Sequence, residues 1–450
     1  MRIKGVFLSE IFTAVLFFTS STVLAGTYSG GNGSAGDPYQ IANLDDWQEL
    51  RTTSADWGNH FILTADINLT GQTFTQAPIA PDTTNTGSSY EGTAFTGTLD
   101  GRGYAIKNLR IETSADKNDY LGLFGYLGLG AAVSNLTLDS IYISGGGDNS
   151  FFIGGLAGYS KATVSNCHVT GIVASIDYTI WVGGLIGQSD TPIIRCSAYV
   201  NVTVWGDAYA IGGLVGQNSG ITQDCFALGN VTDKGGFSYY FGGLAGDNDR
   251  GTIKNSYAKG KVSSTYGYLD FVGGLVGRNR MGTIEYSYST GLISPGYGST
   301  EIGGLAGYNS GTFNQCFWDT QTSGRTGGVG GGSSTGVTGK MTAEMKTLTT
   351  FTSSPATWDF TNETAHGVND NWRMCADNVD TPRLNWQSTS GDFACPADVA
   401  IDDLVVFIQR WLSADCTSSN NFCGGADIDI SGAVNLADFA IFTAHWLEEM

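Results

Sequence analysis

The residues with the clearest chemistry lie near the end of the chain. Asp427, Asp429, Ser431, Asn435 and Asp438 stand at positions 1, 3, 5, 9 and 12 of one short segment, with Gly432 at position 6 and Ala433 at position 7. Hard oxygens at two-residue spacing, a backbone carbonyl at position 7 and a glycine for the sharp turn are the parts of a calcium-binding loop. Calcium is therefore the expected cofactor, held by Asp427, Asp429, Ser431, Ala433, Asn435 and Asp438. The competing reading is a solvated acidic turn ahead of a helix, which would need no acids at alternate positions.

A second set of residues could bind sugar. Phe152, Trp181, Tyr209, Tyr240 and Phe271 each stand shortly before a Gly-Gly pair. An outward stripe of aromatic faces would suit a polysaccharide, because such faces stack on sugar rings. The same rings could instead stack on one another and stabilise a strand face.

Catalysis on a polysaccharide would need a carboxylate pair at a defined separation, or a base with cationic or calcium help. The acids Asp207, Asp233, Asp247, Asp270 and Glu301 do not recur at one repeat position, and basic residues are sparse. No catalytic residue is expected. Four widely spaced histidines offer no zinc motif. Cys375, Cys395, Cys416 and Cys423 are expected in disulfides, with three connectivities open. Cys167, Cys196, Cys225 and Cys316 differ: they share a repeat position with Ser256 and Ser287 and are expected as buried small residues.

These groups are positioned by a repeat. Leu156, Leu185, Leu214, Leu244, Leu275 and Leu305, each in a Gly-Gly-Leu-x-Gly-x-Asn/Ser sequence, are spaced by 29, 29, 30, 31 and 30 residues. A fixed period of this size means a solenoid. Paired glycines in every unit, among many Val, Ile, Thr and Tyr, oppose helix and favour short strands and tight turns. One such unit is long enough for one coil of a right-handed parallel β-helix, with equivalent residues stacked on successive coils. Val173, Val202, Val231, Val262 and Ile293 form one expected column. Val164, Ile193, Ile253, Ile284 and Phe313 form another, broken at Thr222. Ser160, Ser189, Asn218, Asn248, Asn279 and Asn309 should make a corner ladder. A phosphate cradle would occur once, ahead of a helix. Six copies without helices make the motif scaffold, its glycines serving φ > 0 and close contact between coils.

The repeated Gly-Gly-Leu-x-Gly-x-Asn, followed by Ile-x-x-Cys/Ser-aromatic-x-x-Gly-x-Val, resembles the GLUG motif of secreted bacterial repeat proteins and some adhesins, over about residues 120–318. The resemblance implies a β-helical scaffold and an exported protein, and no single activity. The C-terminal duplication, "DDLVVFIQRWL" and "ADFAIFTAHWL" each behind an acidic segment, resembles dockerin type I modules over about residues 392–447. That resemblance implies an EF-hand-like calcium-binding helix pair and a cohesin-like or other cell-surface protein partner. It departs in the first loop, which keeps Asp392 and Asp403 but has Ala394, Pro396 and Ala397. It departs again at Leu436-Ala437, where a hydroxyl pair is common.

The flanks complete the plan. Residues 1–25 have a basic head, an apolar middle and a small-residue end, the pattern of a signal peptide, and no transmembrane segment follows. Residues 26–119 should hold an N-terminal cap and irregular first coils, beginning with a capped helix near Asn43–Leu50. Residues 319–390 read as linker and C-terminal cap, with Gly324–Gly339 as a loop and Met341–Leu348 as a helix. Residues 391–450 form the helix pair, with Leu404, Phe407, Ile408, Trp411 and Leu412, then Phe439, Phe442, Trp446 and Leu447, on apolar faces. The 450-residue chain carries 22 Lys and Arg against 42 Asp and Glu, a net charge of -20, which excludes nucleic acid as a partner. The expected protein is mainly β, secreted or on the cell surface, and non-enzymatic. It binds polysaccharide or serves adhesion, and is attached through its C-terminal module. The alternative is a carbohydrate-active β-helix lyase or hydrolase carried by that module.

Overall fold

Residues one repeat apart are hydrogen-bonded neighbours. Ile186 pairs with Val215, Val215 with Ala245, Ala245 with Val276 and Val276 with Ala306, always in parallel. The computed structural model describes residues 27–450 except 85–88, 114–118, 147–149, 177, 266, 362–364, 368, 375–376, 388–400, 417–425, 427, 429–430 and 449–450. The expected signal peptide, Cys375, Cys395, Cys423, Asp392, Asp427 and Asp429 lie outside the described residues. Three parallel faces of 22, 8 and 6 strands wrap one apolar core, so the chain is mainly β and a β-solenoid, as the repeat implies.

The columns stack as the period requires. Val173, Val202, Val231, Val262 and Ile293 are successive partners, and all six motif leucines are buried. Thr222 occupies its column between Ile193 and Ile253 rather than leaving it. Its hydroxyl donates to Asn218 Oδ1 at 3.1 Å. Asn218 begins the asparagine ladder and the coil before it carries Ser189, so Thr222 supplies the donor that a preceding asparagine would have given. Beyond it, Asn218 donates to Asn248, Asn248 to Asn279 and Asn279 to Asn309, at 2.7, 2.8 and 2.9 Å.

The motif glycines serve one of their two expected purposes. None of Gly212, Gly213, Gly242 or Gly243 has positive φ. A Cβ on Gly212 would sit 2.1 Å from Val215 O, and one on Gly243 would sit 2.9 Å from Ala258 Cβ. Close packing across the bore therefore fixes them. The left-handed positions belong instead to a corner column of Asn135, Asn166, Arg195, Asp224, Asn255, Tyr286 and Gln315.

The cysteines occupy a hydrogen-bonding column. Each Sγ donates to the carbonyl two residues earlier, as in Cys225 to Gln223 O at 3.1 Å, where Ser256 Oγ likewise reaches Lys254 O at 2.8 Å. The backbone N–H of Cys225 donates to Ser256 Oγ on the next coil at 3.2 Å. Cys167, Cys196, Cys225 and Cys316 are free and buried. Burial pushes the Cys167 and Cys196 thiols well up and the Cys316 thiol to about 12.

Both ends of the bore are filled. Helix Leu44–Thr52 is capped by the Asn43 side chain, which accepts from Asp45 and Asp46 N–H, and it buries Trp47 and Leu50 against the core. At the other end, the column Ala198, Ala227, Ala258, Ser289 becomes Trp318. A Cβ on Gly304 would meet the Trp318 ring at 2.1 Å, and one on Gly328 would meet it at 2.5 Å. The indole thus lies across the space that small residues leave open in earlier coils.

Two expectations for the C-terminal cap are corrected. Gly324–Gly339 is not a loop alone: strands Val329–Gly332 and Val337–Lys340 pair with Ala306–Asn309 and Cys316–Asp319 and extend the solenoid. Glycine suits this run because Gly328 and Gly339 pack on Trp318. Met341–Leu348 forms only the 3-10 turn Glu344–Lys346, followed by the short helix Thr349–Thr352. Threonines at 347, 349, 350 and 352 disfavour a longer helix, and Met345 and Phe351 are fixed by side packing instead. From there the chain runs back along the outside of the long face. Phe226, Tyr257, Tyr288 and Phe317, the aromatics of the repeat, form an outer ladder. Trp358 covers Phe317 at 5.5 Å, Trp372 covers Tyr288 at 5.8 Å, and Trp386 reaches Phe226 at 5.7 Å and His168 at 5.3 Å.

The C-terminal segment has helices Ile401–Arg410 and Leu436–Glu448. An antiparallel bridge joins Ala414, just after the first helix, to Ala433, just before the second, and Phe407 stacks on Phe442 at 5.2 Å. The expected apolar face divides. Phe407 and Phe442 are buried with Leu404 and Phe439 beside them, whereas Ile408 and Leu412 are 60% and 73% exposed. Cys416 is disulfide-bonded.

Candidate functional site

The Gly-Gly bend sets the outward side chains of the two smaller faces opposite each other. Along one side run Phe152, Trp181, Ala210 and Tyr240. Along the other run Tyr126, Tyr159, Gln188, Gln217, Asp247, Arg278 and Tyr308, which are the variable residue before the Asn/Ser of each motif. Phe152 stacks on Tyr159 across the bend at 5.3 Å, and Phe271 meets Tyr308 at 5.7 Å.

The five aromatics singled out by sequence do not form one stripe. Phe152 and Trp181 stack at 4.8 Å. Ala210 then interrupts, and a second group follows in which Tyr240 lies 4.8 Å from Tyr209 and 5.3 Å from Phe271. Phe152 and Tyr240 are buried by their neighbours, while Trp181, Tyr209 and Phe271 are half-buried. Trp181 Nε1 is enclosed without a hydrogen-bond partner.

A charged group here was not anticipated. Arg278 lies 3.9 Å over the Tyr240 ring, its Nη1 donates to Tyr240 Oη at 2.6 Å, and its Nη2 and Nε bind the buried Asp247 carboxylate at 2.7 and 3.0 Å. Burial drives the Tyr240 phenol up, with Tyr209 adding to the shift. Reading the variable motif position down the repeat would have exposed the pair, since Asp247 and Arg278 are equivalent residues on adjacent coils.

The remaining acids are spent on structure. Asp207 accepts from Phe237 N–H at 2.7 Å, Asp233 accepts from Ser264 Oγ at 2.8 Å, and Asp270 accepts from Thr300. Burial raises the Asp233 carboxyl. Glu301 stands at the C-terminal end of the groove with one carboxylate oxygen enclosed and unpaired.

In the acidic loop, Gly432 has φ +95, the left-handed turn that position 6 requires. Asp438 is fully buried and accepts from Ile428 N–H at 2.6 Å and Asn435 N–H at 2.8 Å. Ser431 Oγ and Asn435 Nδ2 converge on the Ala433 carbonyl at 3.3 and 2.9 Å. Asn435 Oδ1 caps the following helix by accepting from Ala437 N–H at 2.8 Å. These oxygens fit a calcium loop in kind and order. Among the described residues no three His, Cys, Asp or Glu side chains cluster, and two of the loop's three acids lie outside them.

Residues 207–232 and 237–263 match the GLUG motif. Halomucin of Haloquadratum walsbyi is 36% identical over 160 residues, 34% of this chain and 2% of its own length. A protein of Evansella cellulosilytica, provisionally named a Gly-rich membrane protein, is 31% identical over 145 residues, 32% of this chain and 16% of its own. The chain thus spans a small part of these relatives. A Bacteroides ovatus crystal structure, provisionally described as an immunoglobulin A1 protease, aligns with TM-score 0.45 at 20% identity, over 64% of this chain and 87% of that one. Among the described residues no helix is long and apolar enough to cross a membrane. The two matched copies of the GLUG motif lie within the parallel β-solenoid.

Proposed function

We propose that the protein is an exported, non-enzymatic surface or matrix scaffold that binds polysaccharide and is attached through its C-terminal calcium-binding module. The observation that carries this reading is how the coils use their side chains. Asp207, Asp233, Asp247 and Asp270 hold backbone, hydroxyls or Arg278, while aromatic rings recur on the outer surfaces of coil after coil. A carboxylate already bound to a guanidinium or an N–H is a poor general acid or base. Glu301, standing apart from these pairs, supplies one carboxylate where a hydrolase needs two.

The attachment reading is supported by the acidic loop and by the exposed apolar side chains Val405, Ile408 and Leu436 on the helix pair, with Leu412 in the turn after the first helix. Apolar side chains left open beside a calcium loop suit a protein partner, such as a cohesin-like or cell-surface protein. Calcium would be held by Asp427, Asp429, Ser431, Ala433, Asn435 and Asp438. A glycan screen of the purified chain, with product analysis, tests the proposal. Retained but chemically unchanged polysaccharide supports it. New reducing ends or unsaturated products would overturn it in favour of a β-helix lyase or hydrolase.

A further inference from the structure

Aromatic side chains, most of them exposed, recur along the corner between the long face and the six-stranded face. Each coil leaves the long face and enters the six-stranded face through a short connection, and on five consecutive coils an aromatic residue stands in or beside it: Tyr178, Trp205, Phe237, Tyr268 and Tyr297. Tyr178, Trp205 and Phe237 are 39%, 52% and 66% exposed, and Tyr297, between Gly296 and Gly298, is fully exposed. Phe237 and Tyr268 are paired neighbours with rings 6.0 Å apart. Tyr239, two residues into the strand, widens the line and lies 5.8 Å from Tyr209.

Large apolar side chains left in solvent at one corner of successive coils cost hydration free energy without packing the core, and such patches mark interaction surfaces. The chemistry of the line narrows its occupant. Among the described residues it is mainly aromatic, with the exposed Ile176 paired with Trp205, and is interleaved with the acids Asp207 and Asp270, while Lys234 lies 6.0 Å over Trp205. A second copy of this chain would bring another net charge of -20 to the same face, and an anionic polysaccharide or membrane surface would also be repelled. An uncharged sugar chain meets neither obstacle. Its ring faces stack on aromatic rings, and its edge hydroxyls can donate to carboxylates. Coils rise by ~4.8 Å, about the length of one sugar residue, so a glycan lying along this corner would pass the column Tyr178, Asp207, Phe237 and Tyr268, with Trp205 and Tyr297 beside it.

We propose that this corner line, rather than the groove at the Gly-Gly bend, is the docking surface for an uncharged polysaccharide. The inference rests on the glycan-binding reading above and gives it a place and a ligand class. The test is affinity electrophoresis of the full chain through gels containing a neutral β-glucan, a neutral galactomannan or polygalacturonate. The expected result is retardation in a neutral gel, weakened by on the order of tenfold or more in the triple variant Trp205→Ala, Phe237→Ala, Tyr297→Ala. These side chains are exposed, so the variant should keep the parent melting temperature. Trp181→Ala, in the groove, should leave retardation unchanged.

Retardation lost in Trp181→Ala and kept in the triple variant would overturn the corner assignment while leaving glycan binding intact. Retardation by polygalacturonate alone would overturn the ligand class. No retardation by any glycan would remove both readings. Self-association abolished in the triple variant, seen by sedimentation, would make the line a contact between copies.

Discussion

Asn248 accepts a hydrogen bond from Asn218 Nδ2 at 2.7 Å and donates to Asn279 at 2.8 Å, although each lies about one full coil away in sequence. Its Nδ2 also reaches the Gly251 carbonyl at 3.0 Å. The amide therefore joins three coils inside the core, where no water replaces a lost partner. Removing it leaves the Asn279 Oδ1 and Gly251 carbonyl without this donor, at about 1–3 kcal/mol each.

Asn248→Ala should accordingly destabilise the solenoid by about 3 kcal/mol in urea unfolding. Asn309→Ala, at the ladder's end, removes as many bonds, but those to Ser333 and Gly311 are only part-buried, so it should cost less. Equal losses at the two positions would mean that burial of the ladder adds nothing to its bonds.

Cys225→Ser should be close to neutral. Its column already contains Ser256 and Ser287, each donating to the carbonyl two residues earlier. Cys225→Ala removes both the donor to Gln223 O and the acceptor for Cys196 N–H, and its melting temperature should fall below that of the serine variant. The reverse order would show that thiol volume, not hydrogen bonding, sets the column.

The solenoid could be read from sequence because its cause is periodic: a leucine every coil, a small residue opposite the glycines and a polar corner are enforced by stacking identical turns. What escaped was singular. Trp318 breaks the small column once, and only its seat over Gly304 and Gly328 shows that it fills the bore. Gly324–Gly339 looked like linker because a strand packed on an indole has no room for side chains, so its sequence carries no alternation. The return of Trp358, Trp372 and Trp386 over the outer ladder depends on contacts far apart in sequence. The aromatics at the groove were visible, but their division by Ala210 and the burial of Phe152 and Tyr240 depend on which neighbour faces them across the bend.

Trp318→Ala should open the C-terminal end of the core. A buried aromatic cut to alanine costs about 3–5 kcal/mol. Here the loss should be local at first, because the indole touches the last coils. Hydrogen exchange should quicken in Ala306–Asn309 and Val337–Lys340 before Ile186–Ser189. Uniform loss of protection would mean the solenoid unfolds as one unit.

Lys259 should oppose a loss of stability above pH 8. Burial, with repulsion from Arg383, pushes its pKa down to about 8, while the unfolded chain holds that proton to about 10.4. Between these values the unfolded state binds more protons at this residue, so raising the pH favours the fold through it. The buried Cys167, Cys196 and Cys316 thiols, and then the Tyr257 and Tyr288 phenols, act the other way, because burial raises them and the unfolded chain ionises them first. Urea unfolding should therefore show stability falling more steeply between pH 8 and 10 in Lys259→Met than in the parent. The same slope in both would sink the assignment.

Calcium should bind the full chain at one site and tighten its C-terminal helix pair. The small core around Phe407, Val434 and Phe442 buries little area, so an ion and the Cys416 disulfide should be needed to hold it. The alternative is that Asp438 merely caps the helix through Asn435 N–H. Asp438→Asn separates the two, because its amide oxygen can still accept from Asn435 N–H, giving up the bond from Ile428 N–H, while the charge that calcium needs is removed. Calorimetry should show affinity falling by on the order of tenfold or more, while helicity without calcium stays near the parent value. Asp427→Ala should lose the site as well, since it stands at position 1 of the loop. Two equivalent sites in the parent would bring in the Asp392–Asp403 loop, and no binding at millimolar calcium would leave Asp438 as a cap alone.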